Sequence, residues 1–224
     1  MKSQDELKVL VAREALRFVP KSGVLGVGSG STVVKFIEQM QENKVLPEAA
    51  VSSSNKTTQL LTELGVKVLD PNEVTDYEVY IDGADEVDPK FRLIKGGGAC
   101  LTREKILTSM AAKFVCIVDQ SKMVQELGKF PLPVEVIPMA REKVARVLKE
   151  ITGGRPVLRE GCVTDNQCEI LDVHDLRIQD PAALESAINN IPGVVTVGLF
   201  ARRGADVVLY ATEHEVKEIK ASQA

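Results

Sequence analysis

At 224 residues and 44% hydrophobic content, the chain can bury a substantial core as one large domain or two small ones, which excludes a disordered or disulfide-scaffolded class. Its 28 basic and 32 acidic residues are well mixed and sum to −4, so no field gathers nucleic acid or an anionic membrane surface, and an anionic ligand must be held by local groups. No run reaches the about 18 apolar residues of a bilayer span, and Met1-Lys2-Ser3-Gln4-Asp5-Glu6 carries no apolar signal core; the expectation is a cytoplasmic protein without a membrane partner.

Ser3-Gln4-Asp5-Glu6 is a capping box, and Leu7, Leu10, Val11, Glu14, Ala15 and Phe18 follow at mostly helical spacing, which predicts a first helix that Pro20 to Gly23 stop. Val24-Leu25-Gly26-Val27 reads as a short buried strand running into Gly28-Ser29-Gly30-Ser31-Thr32 and a helix over 33–41. The pattern recurs with Ala50-Val51-Ser52 and a helix over 55–64, then the apolar runs 67–69 and 79–81, a helix over 102–112 and a strand over 114–118. Strands alternating with helices predict an α/β fold, a doubly wound and mainly parallel (Rossmann-like) sheet with its ligand at the carboxyl ends of the strands. Past Pro131-Leu132-Pro133 the order becomes strand 134–137, helix 141–151, strand 156–159, strand 169–173, helix 181–190 and strand 194–200, the order of a ferredoxin-like α+β unit. A strand over 207–210 and a short polar helix over 213–220 complete the reading.

Four segments carry polar groups fit for chemistry. The turn Gly26 to Thr32 joins a strand to a helix, where backbone N–H groups and hydroxyls can surround a phosphate. A dinucleotide fingerprint fails there because its third glycine falls at Ser31, and no triphosphate-binding loop occurs; a turn that uses glycine only for its geometry stays open. Asp82-Gly83-Ala84-Asp85-Glu86 sets two carboxylates at a strand end, suited to proton handling on sugar hydroxyls, to a magnesium ion or merely to a solvated loop. Lys95-Gly96-Gly97-Gly98 offers a cation beside close-approach backbone, fit for an oxygen that becomes negative, or a flexible loop. Glu104 lies in the first turn of the next helix, where it is either a base or a dipole partner. Cys162, Cys168 and His174 match no zinc spacing, so no zinc site is expected, and the four cysteines are read as reduced thiols.

Together, Gly28-Ser29-Gly30-Ser31-Thr32, Ser52-Ser53-Ser54, Asp82-Gly83-Ala84-Asp85-Glu86, Lys95-Gly96-Gly97-Gly98-Ala99, Leu101-Thr102-Arg103-Glu104-Lys105 and Asp119-Gln120-Ser121-Lys122 closely resemble the A-type ribose-5-phosphate isomerases, and the likeness continues to Arg203-Gly204-Ala205-Asp206. The resemblance implies cofactor-free interconversion of D-ribose 5-phosphate and D-ribulose 5-phosphate by a homodimer or larger homo-oligomer. It also implies that the chain after Gly204 rejoins the first domain, giving domains of 1–130 with 205–224 and of 131–204. Glu104 matches the family's proton acceptor, and Asp82, Asp85 and Lys95 match its sugar-binding and catalytic charges. Lys8, Ser29, Gly30, Ser31, Thr32, Gly83, Ala84, Gly96, Gly97, Gly98 and Lys122 match substrate or phosphate contacts. Ser29 stands where relatives can carry threonine, and Asn55 where an aspartate can occur. A non-catalytic sugar-phosphate sensing domain of related fold is the alternative; such a protein would normally add a DNA-reading module, for which the first 20 residues offer a single helix and no basic patch.

Overall fold

The computed structural model describes residues 2–221. Its regular elements are α1 (Gln4–Ala15), β1 (Val24–Val27), α2 (Ser31–Asn43), β2 (Ala49–Ser52), α3 (Asn55–Glu63), β3 (Lys67–Val68), β4 (Tyr77–Asp82), β5 (Glu86–Val87), β6 (Leu93–Ile94), α4 (Leu101–Met110), β7 (Ala111–Asp119), β8 (Leu132–Val136), α5 (Arg141–Thr152), β9 (Arg155–Leu158), β10 (Glu169–His174), α6 (Pro181–Asn189), β11 (Val194–Val197), β12 (Leu199–Phe200), β13 (Val207–Ala211) and β14 (Val216–Lys220). They gather into two compact units. One takes the chain up to Ala84, Arg103–Met123 and the stretch from Ala205 onward; the other takes Asp85–Thr102 and Val124–Gly204.

The first unit is a seven-stranded sheet in the order β14-β13-β7-β4-β1-β2-β3, parallel except where β14 runs against β13. Its central strands carry the near-continuous apolar runs that burial on both faces demands, and Leu25, Val27, Ile81, Val115 and Ile117 share one core with Leu7 and Val11 of α1 and Phe36 and Met40 of α2. Helix α1 starts as expected: the Ser3 side chain accepts from the Glu6 N–H while Glu6 reaches back to the Ser3 N–H. Strand order reverses between β1 and β4, and register pairs Val27 with Ile81. The next residues of the two strands, Gly28 and Asp82, therefore emerge side by side at a topological switch point, where open α/β sheets bind ligands.

The second unit contains a four-stranded antiparallel sheet in the order β11-β8-β10-β9, the ferredoxin-like arrangement read from the element order, with α5 and α6 packed into a core of Leu132, Val134, Val144, Leu148, Leu171 and Ile188. A smaller sheet, β12-β6-β5, accompanies it. The predicted strand over 194–200 is two strands. Gly198 breaks it: its N–H donates to the Pro133 carbonyl at 2.7 Å and its carbonyl accepts from Lys95 N–H at 2.9 Å, which hands the chain from β8 to β6.

The predicted helix over 213–220 is the strand β14, paired with β13 from Val207↔Lys220 to Ala211↔Val216. Glu, Lys and a Val–Ile spacing of three suggested a helix, but eight residues make a marginal helix on their own. The sheet edge at β13 supplies a full backbone ladder instead, and Thr212 closes the hairpin by accepting from His214 and Glu215 N–H groups. Charged Lys217, Glu218 and Lys220 then guard the new edge. The two units also differ from the expected domain limits in residues 85–102 and 124–130: β6 pairs with β12 and β5 with β6, while the N–H groups of Val124, Gly128 and Phe130 donate to the Val87 carbonyl and the Glu86 carboxylate.

Candidate active site

In the first unit the turn after β1 and the end of β4 are built around Asp82, whose residue is fully buried. Its Oδ1 accepts from the Ser29 N–H at 3.0 Å and the Gly83 N–H at 2.8 Å, and its Oδ2 accepts from Tyr80 Oη at 2.6 Å. Gly28 is glycine because the carboxylate takes the place of a side chain: a Cβ there would stand 1.9 Å from Asp82 Cγ. Ser29 then links the turn to the next strand-to-helix junction by donating its hydroxyl to Glu104 Oε1 at 2.6 Å. Glu104, 4% exposed, sits in the first turn of α4 and is braced by Thr108, whose hydroxyl donates to the Glu104 carbonyl at 2.7 Å. Ser29, Asp82 and Glu104 thus form one hydrogen-bonded group.

Gly30, with φ of +88°, is the N-cap of α2 and has no side chain to satisfy the first-turn N–H groups. Residues 31 and 32 therefore present a helix start of the kind that holds phosphate oxygens. The serine run does different work. Ser54 caps α3 by accepting from the Thr57 N–H at 3.0 Å, and the Thr57 hydroxyl donates to the Gly28 carbonyl at 2.8 Å, so this segment holds the glycine turn from behind. Tyr80 was not singled out in the sequence because it reads as an apolar strand position. Burial first, then the charges of Asp82 and Glu104, push its phenol well above the ordinary range, so it remains a proton donor to Asp82.

In the second unit, Lys95 is 2% exposed, its ammonium 5.6 Å from the Phe200 ring centroid. Asp85 accepts the Gly97 N–H at 2.8 Å, so the predicted carboxylate and the predicted glycine run are joined directly. Lys8 lies in α1 and pairs with Asp5 at 3.5 Å, and Lys122 ends a single 3-10 turn after β7. Among the described residues neither hydrogen-bonds to the Ser29, Asp82 and Glu104 group. Among the described residues no set of three or more His, Cys, Asp or Glu side chains is arranged for a metal ion, and no helix is long and apolar enough to cross a membrane.

The chain is similar over its whole length to ribose 5-phosphate isomerase A from Neisseria gonorrhoeae, with 46% identity, a TM-score of 0.96 and complete coverage of both chains. Ribose 5-phosphate isomerase A from Methanocaldococcus jannaschii matches at 40% identity and a TM-score of 0.90 over 97% of this chain and 100% of that one. A D-ribose-5-phosphate isomerase in complex with phospho-erythronic acid matches at 37% identity and a TM-score of 0.92 over 98% and 100%. The fold and these matches define an isomerase enzyme on an α/β scaffold. Within that class the chain belongs to the ribose 5-phosphate isomerase A (phosphoriboisomerase A) family, whose model matches residues 49–215.

Proposed function

We propose that this isomerase interconverts D-ribose 5-phosphate and D-ribulose 5-phosphate with Glu104 as the single general base. The Glu104 carboxylate takes the proton from C2 of the open-chain aldose. The released electron pair forms the C1–C2 double bond and the carbonyl pair moves onto O1, giving an enediolate. A proton passes from O2 to O1, Glu104 returns its proton to C1, and the carbonyl is left at C2. Asp82 and Asp85 move protons among the sugar oxygens and assist ring opening, while Lys95 and the N–H groups of the 96–98 loop hold the oxyanion. Ser29, Gly30, Ser31 and Thr32, with Lys8 and Lys122, take the phosphate. The reading includes a homo-oligomer, a cytoplasmic setting, and neither cofactor nor nucleic acid.

The observation that carries it is the 2.6 Å hydrogen bond from Ser29 to Glu104, because it ties a buried carboxylate at a helix start to the turn suited to phosphate. Support also comes from the relative bound to phospho-erythronic acid, a phosphorylated acid whose carboxylate resembles the charge of an enediolate. A coupled spectrophotometric assay with ribose 5-phosphate, run with and without chelator, tests the reading. Ribulose 5-phosphate is expected at the same rate in both; no turnover defeats the assignment, and loss with chelator defeats its metal-free form.

A further inference from the structure

The 95–98 loop has a partner that its own sequence neighbourhood does not reveal. Arg159 follows β9, and its guanidinium is gripped by Asp172 of β10, Nε to Oδ2 at 2.8 Å and Nη2 to Oδ1 at 2.6 Å. The remaining nitrogen, Nη1, donates to the carbonyl of Gly96 at 3.1 Å and to that of Gly97 at 3.0 Å. Two consecutive peptide groups are therefore pinned by one planar cation. In a trans peptide the carbonyl and the N–H point in opposite directions, so fixing the two oxygens also fixes the N–H groups of Gly97 and Gly98. The first of these already shows the consequence, since the Gly97 N–H is delivered to Asp85 Oδ2 at 2.8 Å.

Three glycines in a row cannot set such directions themselves. Without Cβ atoms each peptide plane turns over at small cost, and Gly96 already stands at φ of +110°. The Ala99 N–H to Gly96 carbonyl bond, 2.9 Å, closes the turn but says nothing about the plane between Gly97 and Gly98. We propose that Arg159, locked by Asp172, is a positioning residue that orients the peptide groups of the 96–98 loop, and through them the hold on the sugar oxygen that becomes negative during isomerisation. This rests on the function proposed above. The guanidinium is suited to it: bidentate pairing with a carboxylate leaves Nη1 aimed along a fixed direction, which the single ammonium of lysine cannot reproduce. Asp172, first among the causes, also raises the Arg159 pKa, with Cys162 and Asp85 contributing, so the charge is held throughout the working range.

The test compares Arg159→Lys and Arg159→Met with Lys95→Met in one assay series. It measures kcat, KM and melting temperature, and the inhibition constants of phospho-erythronic acid and of inorganic phosphate. Misplaced N–H donors cost transition-state stabilisation, so both Arg159 variants are expected to lose about tenfold to a hundredfold in kcat with KM within about threefold. Phospho-erythronic acid should weaken by a similar factor while phosphate changes by less than about twofold, a split that general loosening of the unit would not produce. If Arg159→Met fails to fold, Arg159→Lys, which keeps charge and stem, decides alone. A kcat within about twofold of wild type in a folded variant, or equal weakening of both inhibitors, overturns the inference. Should Lys95→Met also keep wild-type turnover, the proposed function of the loop fails; if Lys95→Met is inactive and the Arg159 variants are not, only the positioning role fails.

Discussion

A methyl group added at Gly28 tests how tightly the turn and the β4 carboxylate are fitted. The new carbon in Gly28→Ala would stand 1.9 Å from Asp82 Cγ, 2.1 Å from its Oδ1 and 2.5 Å from its Cβ, whereas ordinary carbon contacts lie at about 3.5–4.0 Å. Something must move by more than about 1 Å. If Asp82 swings away, it gives up bonds from Ser29, Gly83 and Tyr80. If the turn moves, Ser29 leaves Glu104. Overpacking costs about 1–3 kcal/mol and each lost buried bond about 1 kcal/mol more, so the expected destabilisation is about 2–4 kcal/mol if the turn moves and about 4–6 kcal/mol if Asp82 swings away, read from urea melts. On the proposed function, a displacement of this size should lower turnover about a hundredfold, read as the initial rate of ribulose 5-phosphate formation. In an Asp82→Ala background the two closest contacts disappear, and Gly28→Ala should then cost about 1–2 kcal/mol less. Wild-type stability and turnover in Gly28→Ala would refute the argument that Asp82 fills the space of a missing side chain.

Tyr80→Phe should lose about 1–3 kcal/mol in denaturant melts, because Asp82 Oδ2 would keep its burial without that donor. The phenol also shapes alkaline behaviour. Its folded pKa is raised above the ordinary 10.0, so unfolded chains release a proton that folded ones keep, and stability falls as pH rises past about 10; melts at pH 9 to 11 should show a shallower decline in Tyr80→Phe. Glu218 behaves in the opposite sense. Lys220 first and Arg17 second hold its carboxyl below the ordinary 4.5, so its contribution is present above pH 4.5 and is lost as pH falls through the depressed value. The group is partly exposed, so Glu218→Gln should cost under about 1 kcal/mol at neutral pH, with the difference from wild type vanishing in acid.

Much of the site was legible from element ends. Gly28 and Asp82 each follow an apolar run, and the doubly wound pattern sends both to the ligand edge of the sheet; the reversal of strand order between β1 and β4 then brings them together. Glu104 was legible as a helix-start acid, but not its bond to Ser29, which spans 75 residues and depends on how α4 packs. Tyr80 was hidden because an aromatic strand residue reads as core. Arg159 was hidden more deeply, since nothing in Val157-Leu158-Arg159-Glu160 points to a glycine loop 62 residues earlier. The last hairpin was misread for a related reason: local composition favoured a helix, while the edge of β13 offered a ladder that no local pattern announces. Local signals fixed most elements and their ends, the last hairpin and the break at Gly198 excepted; the bonds between distant segments had to come from packing.

The most direct trial of the account is turnover and proton exchange in Glu104→Gln, an isostere that keeps the Ser29 contact feasible but cannot accept a proton. With phospho-erythronic acid affinity within about threefold of wild type, kcat should fall at least about a hundredfold, and exchange of the C2 hydrogen of ribose 5-phosphate with deuterated water should fall with it. Turnover and exchange near the wild-type rate would contradict the assignment of residue 104 as the base.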